Sequence, residues 1–523
     1  MTQSAPRPAY AGPTSTHATA SGPRDTPPAT AGQGLASPAM AARRPPQPEA
    51  ANTPPTAAGH AARRPASDFF ARIGGDPLTD AFPPKRGAHP PSGAVPVPAD
   101  QIPDLWAALQ DRPRRDPSVA YVHIPFCETH CLFCGFYQNR WHPDRGPAYV
   151  DAVLAQARRG ADHPAQQGVP LRALYLGGGT PTALATPDLV RLIEGLRALL
   201  PLAPDCEITL EGRLLSLDRD KARAAFDAGV NRVSLGVQSF DERLRRRLGR
   251  RTGRAEAIAL LSDLAEMDRA ALMIDLIFGL PGQEIDAFAA DVTLAAGLGL
   301  DGIDLYALNL IPGTPLLRAA ENGKLTPAPR ERLGLYYRAG AEAMAQAGWA
   351  PLSCSHWRAT PRERSLYNFA VKSGAECLAF GAGAGGNLGG AGFRLRPDLA
   401  AYHDAIATGQ PPVAMMTRAG PHAAVLAAIR AGMERGHLDP AAIDRAHAET
   451  HPATTHSAAP LAFADLAAPL LSQWHAAGLI APQASGHALT LAGRFWCVTL
   501  TGHLLAWTLQ ELAAAGAPGP AQA

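Results

Sequence analysis

Six short runs of apolar and β-branched residues, each stopping at a polar or glycine-rich position, constrain the fold of this 523-residue chain more than any other feature. They are Ala120–Ile124, Ala173–Leu176, Glu207–Leu210, Arg232–Val237, Leu272–Ile277 and Ile303–Leu308, with helical stretches between them. Strand alternating with helix is the pattern of a parallel α/β sheet. The runs lead to a cysteine loop, to Gly177-Gly178-Gly179-Thr180, and to Glu211, Gln238, Asp275 and Asn309. In parallel barrels the ligand site lies at the strand C-terminal ends, so these groups are expected to converge on one mouth. Six strands rather than eight predict a partial (β/α)6 barrel, open on one side and able to admit a large substrate.

The first run enters YVHIPFCETHCLFCGFYQN, where Cys127, Cys131 and Cys134 are separated by three residues and then two. Three thiolates in so short a loop can wrap three corners of a cubane [4Fe–4S] cluster and leave one iron open to a small ligand. A zinc site completed by His123 or His130 is the competing reading, and three plainly buried thiols the simplest. Cys206, Cys354, Cys377 and Cys497 stand alone. The Gly177–Pro181 stretch is a tight turn or a cradle of bare backbone groups. Glu211, at the end of EITLE, is a surface carboxylate or an acceptor for both hydroxyls of a ribose. Gln238 and Asp275 follow runs apolar enough to be buried, where a polar group needs a partner. The seven arginines from Arg243 to Arg254 read mostly as a solvated helix face, with Arg250, after the Gly249 break, placed to meet a carboxylate.

A formal net charge of +2 gives no general affinity for nucleic acid or membranes. No uncharged apolar run reaches the roughly 18 residues of a spanning helix. Seven cysteines, three of them clustered, point to a reducing compartment, the cytoplasm, rather than a disulfide framework. The expected organisation is a disordered Ala/Pro-rich tail over 1–66, an N-terminal arm over 67–118, the barrel over 119–340, a barrel extension with a Gly-rich segment over 341–410, and a C-terminal lid domain over 411–523. In that last part, LLSQWHAAGLI and HALTLAGRFW predict a helix and a short wing, then a closing helix from Arg494 to Leu512. Its core face would be Phe495, Trp496, Leu500, Leu504 and Trp507.

YVHIPFC, GGGTPT, EITLE, RVSLGVQSF, MIDLIFGLPGQ and LYALNLIPGTPL, in this order, resemble the radical SAM branch that contains oxygen-independent coproporphyrinogen III oxidase and the haem chaperone HemW. The resemblance implies a [4Fe–4S] cluster on Cys127, Cys131 and Cys134 whose open iron chelates S-adenosylmethionine (SAM). It also implies two SAM molecules. Tyr121, Gly178 and Glu211 would contact the first, and Phe133, Gly179, Thr180, Gln238, Arg250 and Asp275 the second, with the main chain at Phe136 and Asn309 beside its adenine. Two positions depart from the oxidase: Phe136 stands where it has a fourth cysteine, and Gly212-Arg213 where that branch has Asp or Asn followed by Pro. CGFYQN, LEGR and RERSLYNFAVKSGAECLAFGAGAGGNLGG are instead similar to the ChuW/HutW family. That likeness implies a radical SAM methyltransferase that opens haem anaerobically and releases iron, fed by a flavodoxin- or ferredoxin-like electron donor. Porphyrinogen decarboxylation and haem transfer without turnover are the alternatives. For an axial ligand to haem iron, His356 is the first candidate and Met415 and Met416 the next.

Overall fold

A computed structural model describes residues 63–83, 94–450 and 462–514, all within one unit that runs from Pro55. The tail expected over 1–66 lies almost wholly outside the described residues. Six parallel strands appear where the apolar runs predict them: β1 Ser118–Ile124, β2 Leu171–Gly178, β3 Leu202–Gly212, β4 Arg232–Gln238, β5 Ala271–Phe278 and β6 Gly302–Ala307. Nearly every residue of β1 and β5 is buried, as in sheets covered on both faces. The covering helices are α1 Arg145–Gly160, α2 Thr186–Leu199, α3 Arg219–Asp227, α4 Arg254–Met267, α5 Ile285–Ala296 and α6 Leu333–Gln346. In α2 the buried residues Leu189, Leu192, Ile193 and Leu196 follow the helical period and form one apolar stripe. Asp218 caps α3 by accepting from Lys221 N.

The chain continues through β7 His356–Arg358, α7 Leu366–Lys372, β8 Glu376–Phe380, β9 Gly385–Leu388, β10 Ala391–Leu395 and β11 Val413–Arg418. Here the sheet goes beyond the six expected parallel strands, all of which form. β8 pairs in parallel with β1, from Glu376↔Ser118 to Phe380↔Val122, and becomes a seventh. Strand order does not follow chain order at this edge, so no local pattern announces it. β9, β10 and β11 then extend the sheet antiparallel beyond β8, while β7 pairs antiparallel with β6 at the other side. The ends of this thirteen-stranded sheet do not pair with each other, so the barrel stays open. A unit beginning at 411 would include β11, which instead belongs to this sheet because it pairs with β10.

α7 lies against the N-terminal ends of β1 and β2, where Val119, Ala173 and Cys377 form a small cluster with Leu366, Tyr367 and Ala370. Beyond it come α8 Ala423–Arg435, α9 Pro440–Thr450, α10 Phe463–Ala476, β12 Ile480–Gln483, β13 Gly486–Leu489, α11 Leu491–Phe495 and α12 Cys497–Ala514. The wing is β12–β13, and the closing helix breaks at Trp496 rather than running unbroken from Arg494. Phe495, Trp496, Leu500, Leu504 and Trp507 are all buried. The N-terminal arm helps cover them: Phe69 packs edge-on against Trp507 at 5.5 Å and Phe82 against Trp496 at 5.5 Å. α8 is held by Cys354 Sγ donating to Met433 O at 3.2 Å, by Lys372–Glu434 at 2.6 Å, and by Arg435 over the Phe369 ring at 5.0 Å. These contacts lie at α7 and the β7 loop.

Candidate active site

Sequence and backbone geometry build the mouth together. Gly178 has φ +114°, a conformation that glycine tolerates best, and a Cβ there would stand 2.6 Å from the His123 ring. A Cβ on Gly179 would meet Phe126 O at 2.6 Å, and one on Gly177 would meet Glu211 Oε2 at 2.7 Å. The run is therefore a cradle as well as a turn: only bare backbone fits between the cysteine loop and β3. Gln238 adopts φ +73° where the β4–β5 register shifts. A non-glycine residue held there is a form of strain found at functional sites.

Cys127 and Cys131 are buried and Cys134 is partly exposed. Cys127 Sγ accepts from Thr180 Oγ1 at 3.4 Å and Cys134 Sγ from the Phe136 N–H at 3.3 Å. Among the described residues no three His, Cys, Asp or Glu side chains are gathered to hold a single metal ion. Three soft thiols on one loop suit the corners of a cubane, whereas a zinc ion needs a fourth ligand. His130, the possible fourth zinc ligand, stacks on Tyr137 and meets Cys134 O at 3.2 Å. Burial dominates the rise in the Cys127 thiol pKa, with Thr180 and Arg213 opposing it.

Around this loop, Glu128 Oε2, Arg213 Nε and Arg250 Nε are buried with no hydrogen-bond partner among the described residues. Buried polar groups normally have partners, so these are groups that a bound ligand can satisfy. Among the described residues no carboxylate pairs with Arg250, whose guanidinium lies 5.7 Å from the centroid of the Phe133 ring. Burial works against its charge and Cys131 works for it. Asp275 and Asp304 are register partners on β5 and β6, and burial, then Asp304 and Glu211, push the Asp275 carboxyl pKa well up. Glu211 is already engaged, accepting from Tyr175 Oη at 2.6 Å and from Gly178 N at 3.2 Å; a carboxylate retains further lone pairs for hydroxyls. Tyr121 Oη meets His123 Nδ1 at 2.8 Å. The structure thus brings Tyr121, Phe133, Gly178, Gly179, Thr180, Glu211, Gln238, Arg250 and Asp275 to the loop or to the adjoining interior. The Phe136 side chain is 69% exposed, leaving its backbone as the part that faces the cysteines. Asn309 is exposed just beyond β6.

Other residues matter that their sequence context does not mark. Arg213 donates from Nη1 to Thr129 O at 2.9 Å and from Nη2 to Thr129 Oγ1 at 3.0 Å, pinning the cysteine loop from the end of β3. Tyr121, Tyr175 and Tyr367 stack, with Tyr175 and Tyr367 centroids 4.5 Å apart. Arg245, expected on a solvated face, is buried and donates to Val237 O and Ser239 O. Beneath the mouth, Arg232 and Glu363 form a buried ion pair at 2.9 Å. His356 belongs to the same group: Nδ1 lies 3.1 Å from Asp304 Oδ2, and Nε2 lies 3.5 Å from Glu363 Oε1 without hydrogen-bond geometry. This corrects its reading as a haem ligand, since both ring nitrogens face carboxylates and only 3% of the residue is exposed. Met416 is buried as well, whereas Met415 is 49% exposed.

The Radical SAM superfamily model matches residues 121–295. An anaerobilin synthase of Escherichia coli O157:H7 is 42% identical over 431 residues, covering 82% of this chain and 92% of that protein. Heme chaperone HemW of Escherichia coli K12 is 30% identical over 276 residues, 52% of this chain and 70% of the chaperone. Among solved structures, coproporphyrinogen III oxidase HemN of Escherichia coli superposes with a TM-score of 0.63 at 24% identity, covering 76% of this chain and 92% of HemN, a likeness of fold.

Proposed function

The chain belongs to the anaerobilin synthase family of radical SAM enzymes, and from that premise we propose that it opens haem by SAM-dependent radical methylation, in the cytoplasm, with electrons from a flavodoxin- or ferredoxin-like protein. Radical SAM enzymes use a [4Fe–4S] cluster and SAM; when bound, the two together supply the electron and the adenosyl radical that start the chemistry. In this reading Cys127, Cys131 and Cys134 hold the cluster. Tyr121, Gly178 and Glu211 hold one SAM, and Phe133, Gly179, Thr180, Gln238, Arg250 and Asp275 hold a second, with the backbone at Phe136 and Asn309 beside its adenine. The chain's own work is geometric and electrostatic. The glycine run lets the backbone approach, the Glu211 carboxylate accepts from hydroxyls, and burial pushes the Asp275 carboxyl pKa well up, against the pull of Arg232 and Arg250. All seven cysteines are free thiols, in keeping with a reducing compartment. Among the described residues no helix is long and apolar enough to cross a membrane.

One observation carries the choice of haem opening over porphyrinogen decarboxylation. The likeness to an anaerobilin synthase runs at 42% identity over 92% of that protein, whereas an oxygen-independent coproporphyrinogen III oxidase of Cereibacter sphaeroides matches at 29% over 54% of its length. The test is anaerobic incubation of cluster-reconstituted protein with SAM, a low-potential reductant and haem. The expected result is loss of the Soret band and a methylated open tetrapyrrole by mass spectrometry. Decarboxylation of coproporphyrinogen III with haem left intact overturns the reading, and so does stable haem binding without SAM cleavage, which is what a chaperone would do.

A further inference from the structure

The inner face of the antiparallel extension carries a cavity of about 320 Å³, within the range of roughly 300–1,000 Å³ usual for small-molecule sites. Gly385 pairs with Arg394, and Arg394 with Met415, so side chains at these positions share one face of β9, β10 and β11. Tyr367 and Val371 of α7 form the facing wall. Two features of this cavity have no structural cause. Gly385 has no positive φ, and a Cβ there would meet nothing closer than Phe393 O at 3.8 Å, so the backbone does not require glycine; its absent side chain leaves a flat floor. Val371 and Met415 are 41% and 49% exposed, and both line this cavity. Large apolar side chains left bare on opposite walls are what a flat apolar ligand covers.

The rim is cationic. Arg394 is exposed, and its charge reaches the buried His123 beside the glycine cradle. Guanidinium groups of this kind pair with carboxylates. The wall also touches the reaction site: Tyr367 stacks on Tyr175, whose hydroxyl donates to Glu211.

We infer that this cavity is the tetrapyrrole slot, in which a metallated, carboxylate-bearing macrocycle lies on the Gly385–Gly392 floor with its iron at the Met415 sulfur and a carboxylate at Arg394. The inference rests on the tetrapyrrole reading above. A thioether is an established type of haem iron ligand; Met415 and Met416 both line the cavity, and of the three candidate ligands Met415 is the exposed one, at 49% against 1% for Met416 and 3% for His356.

The test titrates cluster-reconstituted full-length protein, without oxygen, with haem, haem dimethyl ester and iron-free protoporphyrin IX, following the Soret band. Gly385→Leu fills the floor and is expected to weaken all three ligands by roughly tenfold or more. Arg394→Gln, at an exposed position, is expected to weaken haem by about tenfold, the size of one charge-assisted hydrogen bond, and to leave the ester unchanged. Met415→Leu is expected to shift the haem Soret band and weaken haem without altering protoporphyrin IX. Cluster iron content and thermal unfolding report the folding of each variant. If wild-type protein consumes haem while all three variants bind it within twofold of wild type, the slot is wrong and the proposed function stands. If wild type neither binds nor consumes haem, both fall.

Discussion

Replacing Arg213 with Ala tests whether the end of β3 holds the cysteine loop. The wild-type guanidinium makes two hydrogen bonds to Thr129, at 2.9 and 3.0 Å, from a side chain that is 8% exposed. Hydrogen bonds from a charged donor contribute about 1.5–3 kcal/mol each. Some of that is offset, because Arg213→Ala also removes the unpartnered buried Nε. A net loosening of about 2 kcal/mol is the expected scale, which corresponds to about thirtyfold in an equilibrium. The assay is the rate at which a ferrous chelator strips iron from reconstituted protein; the variant is expected to release iron about thirtyfold faster. Thr129→Val removes the Oγ1 acceptor and keeps the carbonyl, so its effect is expected to be smaller, roughly fivefold for about 1 kcal/mol. Because the two residues share these bonds, the double variant should fall well short of the product of the single effects. Stripping rates within twofold of wild type for Arg213→Ala, at an unchanged unfolding temperature, would refute the reasoning.

Two further perturbations address the interior. Glu363→Gln leaves Arg232 buried without its charge partner, and breaking such a pair typically costs about 3–5 kcal/mol; an unfolding midpoint in urea close to that of wild type would show that His356, Asp304 and Glu207 compensate. His123 is pushed down to about 4, first by burial and then by Arg394. The unfolded chain, with an ordinary pKa near 6.5, binds the proton more readily. Stability is therefore full above about pH 6.5 and declines as the pH falls toward 4, with a loss of about 2 kcal/mol between pH 7 and pH 5. Urea unfolding of cluster-free protein measures this slope, which should flatten in His123→Asn; an equal slope in that variant would assign it elsewhere.

Much of the site is legible in the chain because each piece is local. The cysteine spacing, the glycine run after β2 and the acid at the end of β3 are short motifs at strand ends, and parallel-sheet geometry alone brings strand ends together. The strand positions are legible for the same reason, since strands buried on both faces are continuous apolar runs. What escapes is whatever depends on a distant partner. Arg213 appears in the sequence as a departure from a family pattern, and only folding sets it against Thr129. His356 beside Trp357 looks like a ligand until β7 pairs with β6 and turns it toward Asp304.

The amino-acid sequence by itself determined the chemistry and the barrel: three thiolates in one loop, bare backbone in the next, polar groups closing strands whose burial is written in their composition. Only the tertiary structure decided what lies beside that chemistry. β8 joins β1 from more than two hundred residues away, so the antiparallel wall behind it, the cavity on its inner face and the tyrosine stack between cavity and mouth exist only once that edge is formed. Local periodicity records which face of an element is buried. It does not record which element will bury it, because that choice depends on hydrogen bonding and packing between segments that are not neighbours in the chain.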